Sequence, residues 1–144
     1  MGVVYADITL INAVDVGLAE RHIIGEEEIK QMTVRMLVDS GAYMMSINRS
    51  VQEQLNLRFI ERRKVRLADE TVREFEVVGP ITVKFKNRIA TCSALVLEDE
   101  SECLLGAIPL EELDVLIHPL RQELIVNPDH PDGAVLKMKR AAIA

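Results

Sequence analysis

The feature that most constrains this chain is a series of short apolar–polar alternations separated by turns every eight to twelve residues. The cleanest lies at Ile81–Lys86, where Ile81, Val83 and Phe85 alternate with Thr82, Lys84 and Lys86. A period of two puts one face inward and the other in water, as in a half-buried strand. Gly79-Pro80 before it and Asn87-Arg88 after it are turn chemistry. Similar segments run from Tyr5 to Val14, Ile29 to Val38, Val65 to Val78 around a polar turn at Ala68–Thr71, and Ile89 to Leu97. Shorter ones follow at Val115–Ile117 and Glu123–Val126. Such spacing predicts a closed barrel or sandwich and disfavours a parallel α/β sheet.

Two interruptions read as helical. Asn48–Leu55 is a short helix with Asn48 or Ser50 as its cap, and Ser50 to Glu53 has capping-box spacing. Ile108–Leu113 is a second, with Pro109 suited to the first position. Glu20–Glu28 reads as a hairpin loop and Glu98–Glu102 as a polar loop. No repeat or low-complexity segment divides the 144 residues, so one domain is expected over 1–128, with a C-terminal tail over 129–144.

Composition narrows the function. The 49% hydrophobic content supports a core without staples, and its aliphatic bias suits packed strands. A net charge of −6, with Arg62-Arg63-Lys64 the densest basic cluster, argues against nucleic acid as a partner. No run approaches the ~20 apolar residues of a membrane span. Met1–Asp7 has the pattern of neither a signal peptide nor a myristoylation site. Cys92 and Cys103 form no CxxC pair, and His22, His118 and His130 are scattered loop or surface residues. Two buried thiols in a reducing, cytoplasmic compartment are therefore expected, with no metal and no cofactor.

The segment that carries chemistry is Met36-Leu37-Val38-Asp39-Ser40-Gly41-Ala42. Burying a lone carboxylate is costly, so an aspartate directly after an apolar run marks a special position. Ser40, Gly41 and Ala42 are small enough for a sharp turn against a close neighbour. Taken alone, the motif also suits an aspartate capping its own turn. Ser40 as a nucleophile is disfavoured, because a G-x-S-x-G elbow needs glycine at both Val38 and Ala42.

This apolar run followed by Asp-Ser-Gly-Ala resembles the active-site loop of the retropepsin-like aspartic proteases. The resemblance extends over roughly Tyr5 to Pro128. A Leu-Gly-Leu-like step appears as Leu55-Asn56-Leu57, a flap hairpin as Val65–Pro80, and two apolar residues with a glycine as Leu104-Leu105-Gly106 before the helix at 108–113. It implies an all-β acid-protease-like closed barrel with one or two short helices, acting as a homodimer. A second Asp-Thr/Ser-Gly is missing, so the second aspartate must come from another Asp39.

By this resemblance, Asp39, Ser40 and Gly41 form the catalytic loop, with the Ser40 hydroxyl bonding across the two-fold axis. Ala42, Leu67, Ala68, Asp69, Glu70 and Thr71 contact a peptide or protein substrate, while Leu104, Leu105 and Gly106 pack behind the loop. Two carboxylates about 3 Å apart share a proton and activate a water between them. The flap tip Ala68-Asp69-Glu70-Thr71 departs from the family in having no glycine. Its acidity would favour basic substrates, and its stiffness sustains an alternative: a homodimer of the same fold that grips extended peptides with weak or no cleavage. A purely structural dimer is the third reading.

Overall fold

The computed structural model describes residues 2–98 and 100–138. Nine strands and three α-helices follow one another in it: β1 (Tyr5–Asn12), α1 (Ala13–Glu20), β2 (Gln31–Val38), β3 (Met45–Asn48), α2 (Arg49–Gln54), β4 (Phe59–Arg66), β5 (Val72–Phe85), β6 (Arg88–Leu97), β7 (Leu104–Leu105), α3 (Ala107–Leu113), β8 (Val115–His118) and β9 (Glu123–Val126). A single turn of 3₁₀ helix, Glu26–Glu28, lies in the loop before β2. The fold is mostly β with short helices, as the alternation predicted.

Seven strands form one sheet in the order β1-β2-β7-β3-β6-β5-β4. A further pairing of β1 with β5 brings the hydrogen-bonded order back on itself through six strands. Only β4 projects from this ring, as the outer arm of a β4–β5 hairpin whose register runs from Arg66↔Val72 to Phe59↔Val78. Closing the order covers most strand edges, and inward side chains fill the interior. Ile8, Leu10, Met36, Met45, Ile47, Leu55, Ile81, Val83 and Leu105 are fully buried there. Each contributes about 1.5–3 kcal/mol by leaving water. Such a core needs no disulfide, and both cysteines are free: Cys103 is buried and Cys92 half-buried.

The helices differ from the sequence reading in number and place. There are three and not one or two, because β1 stops at Asn12 and the residues expected to extend it form α1. Asn12 is the reason. Its side-chain oxygen accepts from the Val14 and Asp15 N–H groups, while its amide donates to the Leu55 and Asn56 carbonyls. One buried side chain thus starts α1 and ties it to the end of α2.

Asn48 caps α2 through the Val51 N–H, whereas Ser50 receives a hydrogen bond from the Gln54 amide and forms no capping box. The helix ends with Leu57 N–H bonded to Gln52 O and Asn56 N–H to Glu53 O, with Asn56 at φ 50°. Asparagine tolerates that left-handed position better than most residues, so it serves where the related step has glycine. In α3 the first residue is Ala107, so Pro109 stands third and not first.

Two further corrections concern strands. β3 was not expected; it is four residues long and pairs in parallel with the distant β6. Gly79-Pro80 does not end a strand, since β5 runs through it with a register shift between Val78 and Ile81. A proline without an N–H fits a bulge of this kind. Gly79, at φ 149°, has a position where a Cβ would lie 3.2 Å from Ser93 Cα.

The chain after β9 stays against the body as far as it is described. Arg88, only 1% exposed, donates through Nη2 to the carbonyls of His130 and Asp114. Asn87 reaches Pro131 O, and Asp114 accepts from the Asn127 amide, the Val135 N–H and His130 Nδ1 at 2.6 Å. His130 is therefore a hydrogen-bond partner of Asp114, and Arg88 is a core residue and not a turn residue. His118, at the end of β8, accepts from the Leu120 and Arg121 N–H groups through Nδ1. Residues 139–144 of the expected tail lie outside the described residues, as does Asp99 of the 98–102 loop.

Candidate active site

β2 carries the key carboxylate out of the core. Val34, Met36 and Val38 point inward, and the chain reaches the surface at Asp39. Backbone bonds hold this end on both sides: Val38 N–H to Val4 O, Leu37 N–H to Cys103 O and Asp39 N–H to Leu105 O. β7 pairs in parallel with β2 (Leu37↔Leu104, Val38↔Leu105) and antiparallel with β3 (Ser46↔Leu104). The loop 39–44 leaves between those two strands.

Within the loop, Asp39 Oδ1 accepts the Gly41 N–H at 2.9 Å and Asp39 O accepts the Ala42 N–H at 3.1 Å. These short bonds fold the chain over its own aspartate. The carboxylate is half-exposed, and a Cβ on Gly41 would lie 3.1 Å from its Oδ1. Behind the loop, Ala107 N–H bonds Ala42 O at 2.7 Å and Ile108 N–H bonds Tyr43 O at 3.0 Å. Gly106 fits here because it has no side chain: a Cβ would stand 2.4 Å from Met44 O and 2.7 Å from Ala42 O. Leu104, Leu105 and Gly106 thus form the wall against which the aspartate loop rests.

A cavity of about 700 Å³ opens in front of the loop. Asp39, Gly41, Ala42 and Tyr43 line one side, Val65, Leu67, Ala68 and Phe75 of the hairpin the other, and Leu95, Leu97 and Leu104 the floor. Ser40 does not line it. Its exposed side chain, without a hydrogen-bond partner among the described residues, borders a separate hollow with Val38, Leu110, Glu111, Val115, Leu116, Ile117 and Leu124.

Among the expected substrate-contacting residues, Ala42, Leu67 and Ala68 line the cavity, whereas Asp69, Glu70 and Thr71 stand exposed at the hairpin tip outside its lining. The tip is a closed turn, with Leu67 N–H to Thr71 O, Glu70 N–H to Leu67 O, and both the N–H and hydroxyl of Thr71 on Asp69 Oδ1. Those two bonds from Thr71 hold the Asp69 carboxyl below its usual value. Sequence reasoning missed Tyr43, Met44, Arg63 and Phe75 as cavity residues. Alternation along β4 carries the only local signal, since it puts Arg63 and Val65 on the same face as Leu67.

Elsewhere, the Arg49 guanidinium pairs with Glu76 and lowers its carboxyl, while burial pushes the Cys92 thiol up to about 12. A thiol held so high is protonated and unreactive at neutral pH. Among the described residues no group of three or more His, Cys, Asp or Glu side chains is placed to hold a metal ion, and no helix is long and apolar enough to cross a membrane.

Comparison with known proteins agrees with this architecture. The retroviral protease-like domain of Ddi1 from Leishmania major superposes with a TM-score of 0.55 at 18% identity, covering 89% of this chain and 90% of that one. At that identity the likeness speaks to the fold alone. EIAV protease in complex with the inhibitor HBY-793 gives a TM-score of 0.45 at 21% identity over 56% of this chain and 77% of that one. Lpg0085 from Legionella pneumophila gives 0.39 at 16% identity over 79% and 91%. No curated protein sequence matches the chain. The family profile described as "gag-polyprotein putative aspartyl protease" matches residues 26–112, more than half of the chain and all of the aspartate loop, hairpin and Leu104–Gly106 wall. The chain belongs to the retroviral-type aspartyl protease family.

Proposed function

We propose that this chain is an aspartic endopeptidase that works as a homodimer, with Asp39 of each protomer supplying half of a carboxylate dyad. The observation that carries the reading is the position of Asp39: half-exposed, oriented by the Gly41 N–H, and facing a cavity between the loop and the β4–β5 hairpin. A single carboxylate there has no second acid to work with, since among the described residues Asp39 is the only acid of the lining. A two-fold axis beside Ser40 supplies the second, and isologous pairing of this kind is the commonest form of assembly.

The surface next to Ser40 supports that axis. Leu116 and Ile117 of β8 are exposed beside the Ser40 side chain, which has no hydrogen-bond partner among the described residues, and Leu120 of the β8–β9 turn is 88% exposed. In the dimer the two carboxylates share one proton. The ionised member removes a proton from a water held between them, the water oxygen adds to the peptide carbonyl carbon, and the protonated member stabilises the developing oxyanion. The substrate lies extended under the hairpin and pairs with its backbone as an added strand. The free thiols Cys92 and Cys103 support a reducing, cytoplasmic setting.

A second reading is a homodimer that holds peptides without cutting them. It is favoured by the tip, where Asp69 and Thr71 close the turn and Glu70 occupies φ 70° with no glycine present. Cleavage of a mixed peptide library between pH 3 and 8, comparing wild type with Asp39→Asn, separates the two. Cleavage by wild type alone supports the protease; peptide binding without cleavage by either folded protein supports the second reading. Sedimentation equilibrium tests the dimer in the same buffers, and a monomer at every concentration that cleaves peptides would refute the shared dyad.

A further inference from the structure

The cavity lining has an asymmetry that the aspartate chemistry does not use. Among the described residues Asp39 is its one acid, while Arg63, Lys64 and Arg66 of β4 are its three cations. Strand alternation makes Arg63 the cation of the inner face, because it pairs across the hairpin with Phe75, whose ring belongs to the apolar cluster of Met44, Val77 and Leu95. Its apolar neighbours in the wall are Met44, Val65 and Phe75.

The Arg63 hydrogen bonds are incomplete. Nη2 pairs with Glu61 Oε2 at 2.6 Å on the same strand, with both side chains nearly half exposed. Nη1 lies 3.4 Å from the Met44 sulfur, a weak acceptor for a charged donor. Arginine presents five N–H donors in a fork that suits a carboxylate, so this site is underused by the described residues of the protomer. Arg63 also borders a second, smaller hollow of about 230 Å³, together with Met44, Ser93 and Ile108.

Resting on the peptide-groove reading above, we infer that the groove selects peptides carrying a glutamate or aspartate side chain that Arg63 binds, next to a large apolar residue seated against Met44, Val65 and Phe75. The acid sits away from the scissile bond, because Asp39 repels a second carboxylate placed beside it. Asp69 and Glu70 do not counter this selection, since the turn holds them outside the lining. The lining therefore points to acidic substrates, the opposite of what the acidic tip by itself suggested.

The test uses labelled ten-residue peptides in pairs that differ by Glu or Gln at one position around a central apolar pair. Binding is read by fluorescence anisotropy on Asp39→Asn protein, so that it does not depend on cleavage. At one position Glu is expected to bind about tenfold tighter than Gln, a difference appropriate to one charge-assisted contact. The ratio should fall to near one when Arg63→Gln is added. It should rise when Glu61→Gln is added instead, because the internal competitor is gone. Equal binding of Glu and Gln at every position, no binding by any peptide, or a ratio untouched by Arg63→Gln each overturns the inference. Cleavage of the same peptides by the Asp39 protein is scored separately. Selection for Glu without cleavage refutes the protease and leaves the acid site standing, whereas cleavage without selection does the reverse.

Discussion

Gly106 is the position where a single methyl group should most directly disturb the site. In Gly106→Ala the new Cβ falls 2.4 Å from Met44 O, 2.7 Å from Ala42 O and 2.9 Å from the Met44 carbonyl carbon. All three are backbone atoms, so no side-chain rotation relieves the contact; either the aspartate loop or the start of α3 must move. Overpacking of this kind costs about 1–3 kcal/mol. If the loop retreats far enough to break Ala107 N–H to Ala42 O and Ile108 N–H to Tyr43 O, two more bonds of about 1 kcal/mol each are lost. The expected destabilisation is therefore about 1 kcal/mol with both bonds kept and up to about 5 with both broken. Urea unfolding, with midpoint and slope fitted separately, measures it. Gly17→Ala is the control: Gly17 lies within α1 with nothing within 4 Å of its would-be Cβ, and the change should stabilise by about 0.5–1 kcal/mol. Because the moving loop carries Asp39, any cleavage activity should fall by about 10²-fold in Gly106→Ala, the usual penalty for a misplacement near 1 Å. Stability within 0.5 kcal/mol of wild type would refute the argument that Gly106 is fixed by the crossing backbone.

Asn12→Ala removes the cap of α1 and leaves the Leu55 carbonyl without its amide donor. It should cost about 3 kcal/mol and lower the melting temperature by roughly 2–4 °C per kcal/mol in a scanning calorimeter; an unchanged melting temperature contradicts the role assigned to Asn12. Glu70 holds φ 70° at the hairpin tip, so Glu70→Gly should stabilise by about 0.5–1 kcal/mol in urea, and a destabilised variant would show that its side chain matters more than its backbone. The Asp114 carboxyl is held at about 2, first by the Val135 N–H, then by the Asn127 amide and by His130. Its folded value lies below its unfolded one, so its stabilisation is present above the ordinary 3.8 and is lost as pH falls through about 2. Amide exchange at Val135 should therefore accelerate between pH 4 and 2, beyond the intrinsic rate, in wild type but not in Asp114→Asn. Equal profiles would place the anchor elsewhere.

Much of the fold was legible because its signals are local. The alternation of Ile81–Phe85 gave a strand since burial on one face alone requires a period of two. The Asp-Ser-Gly-Ala loop and the Leu-Leu-Gly wall were legible as a set, for each depends on residues adjacent in sequence. The start of α1 is also written locally, with Asn12 three residues before Asp15, but Tyr5–Val14 reads equally well as one apolar–polar run, which hides it. Strand β3 gave too little signal: four residues, three of them buried, show no alternation.

Local residue patterns suffice for a mostly β chain, the exit of an aspartate from a buried strand onto a small-residue turn, and a hairpin and glycine wall to accompany it. Which residues meet depends on the assembled fold. Leu105 comes to lie beside Val38, and Arg63 beside Met44, because strands distant in the chain pair and bring together side chains that no window of the sequence relates. Burial of Arg88 is decided the same way. Its local pattern is that of a turn, and it enters the core because the carbonyls of Asp114 and His130, from chain that follows much later, close over its guanidinium. Backbone hydrogen bonding and apolar alternation act over a few residues and are readable in order, whereas the partners of a buried polar group are chosen by packing of the whole chain.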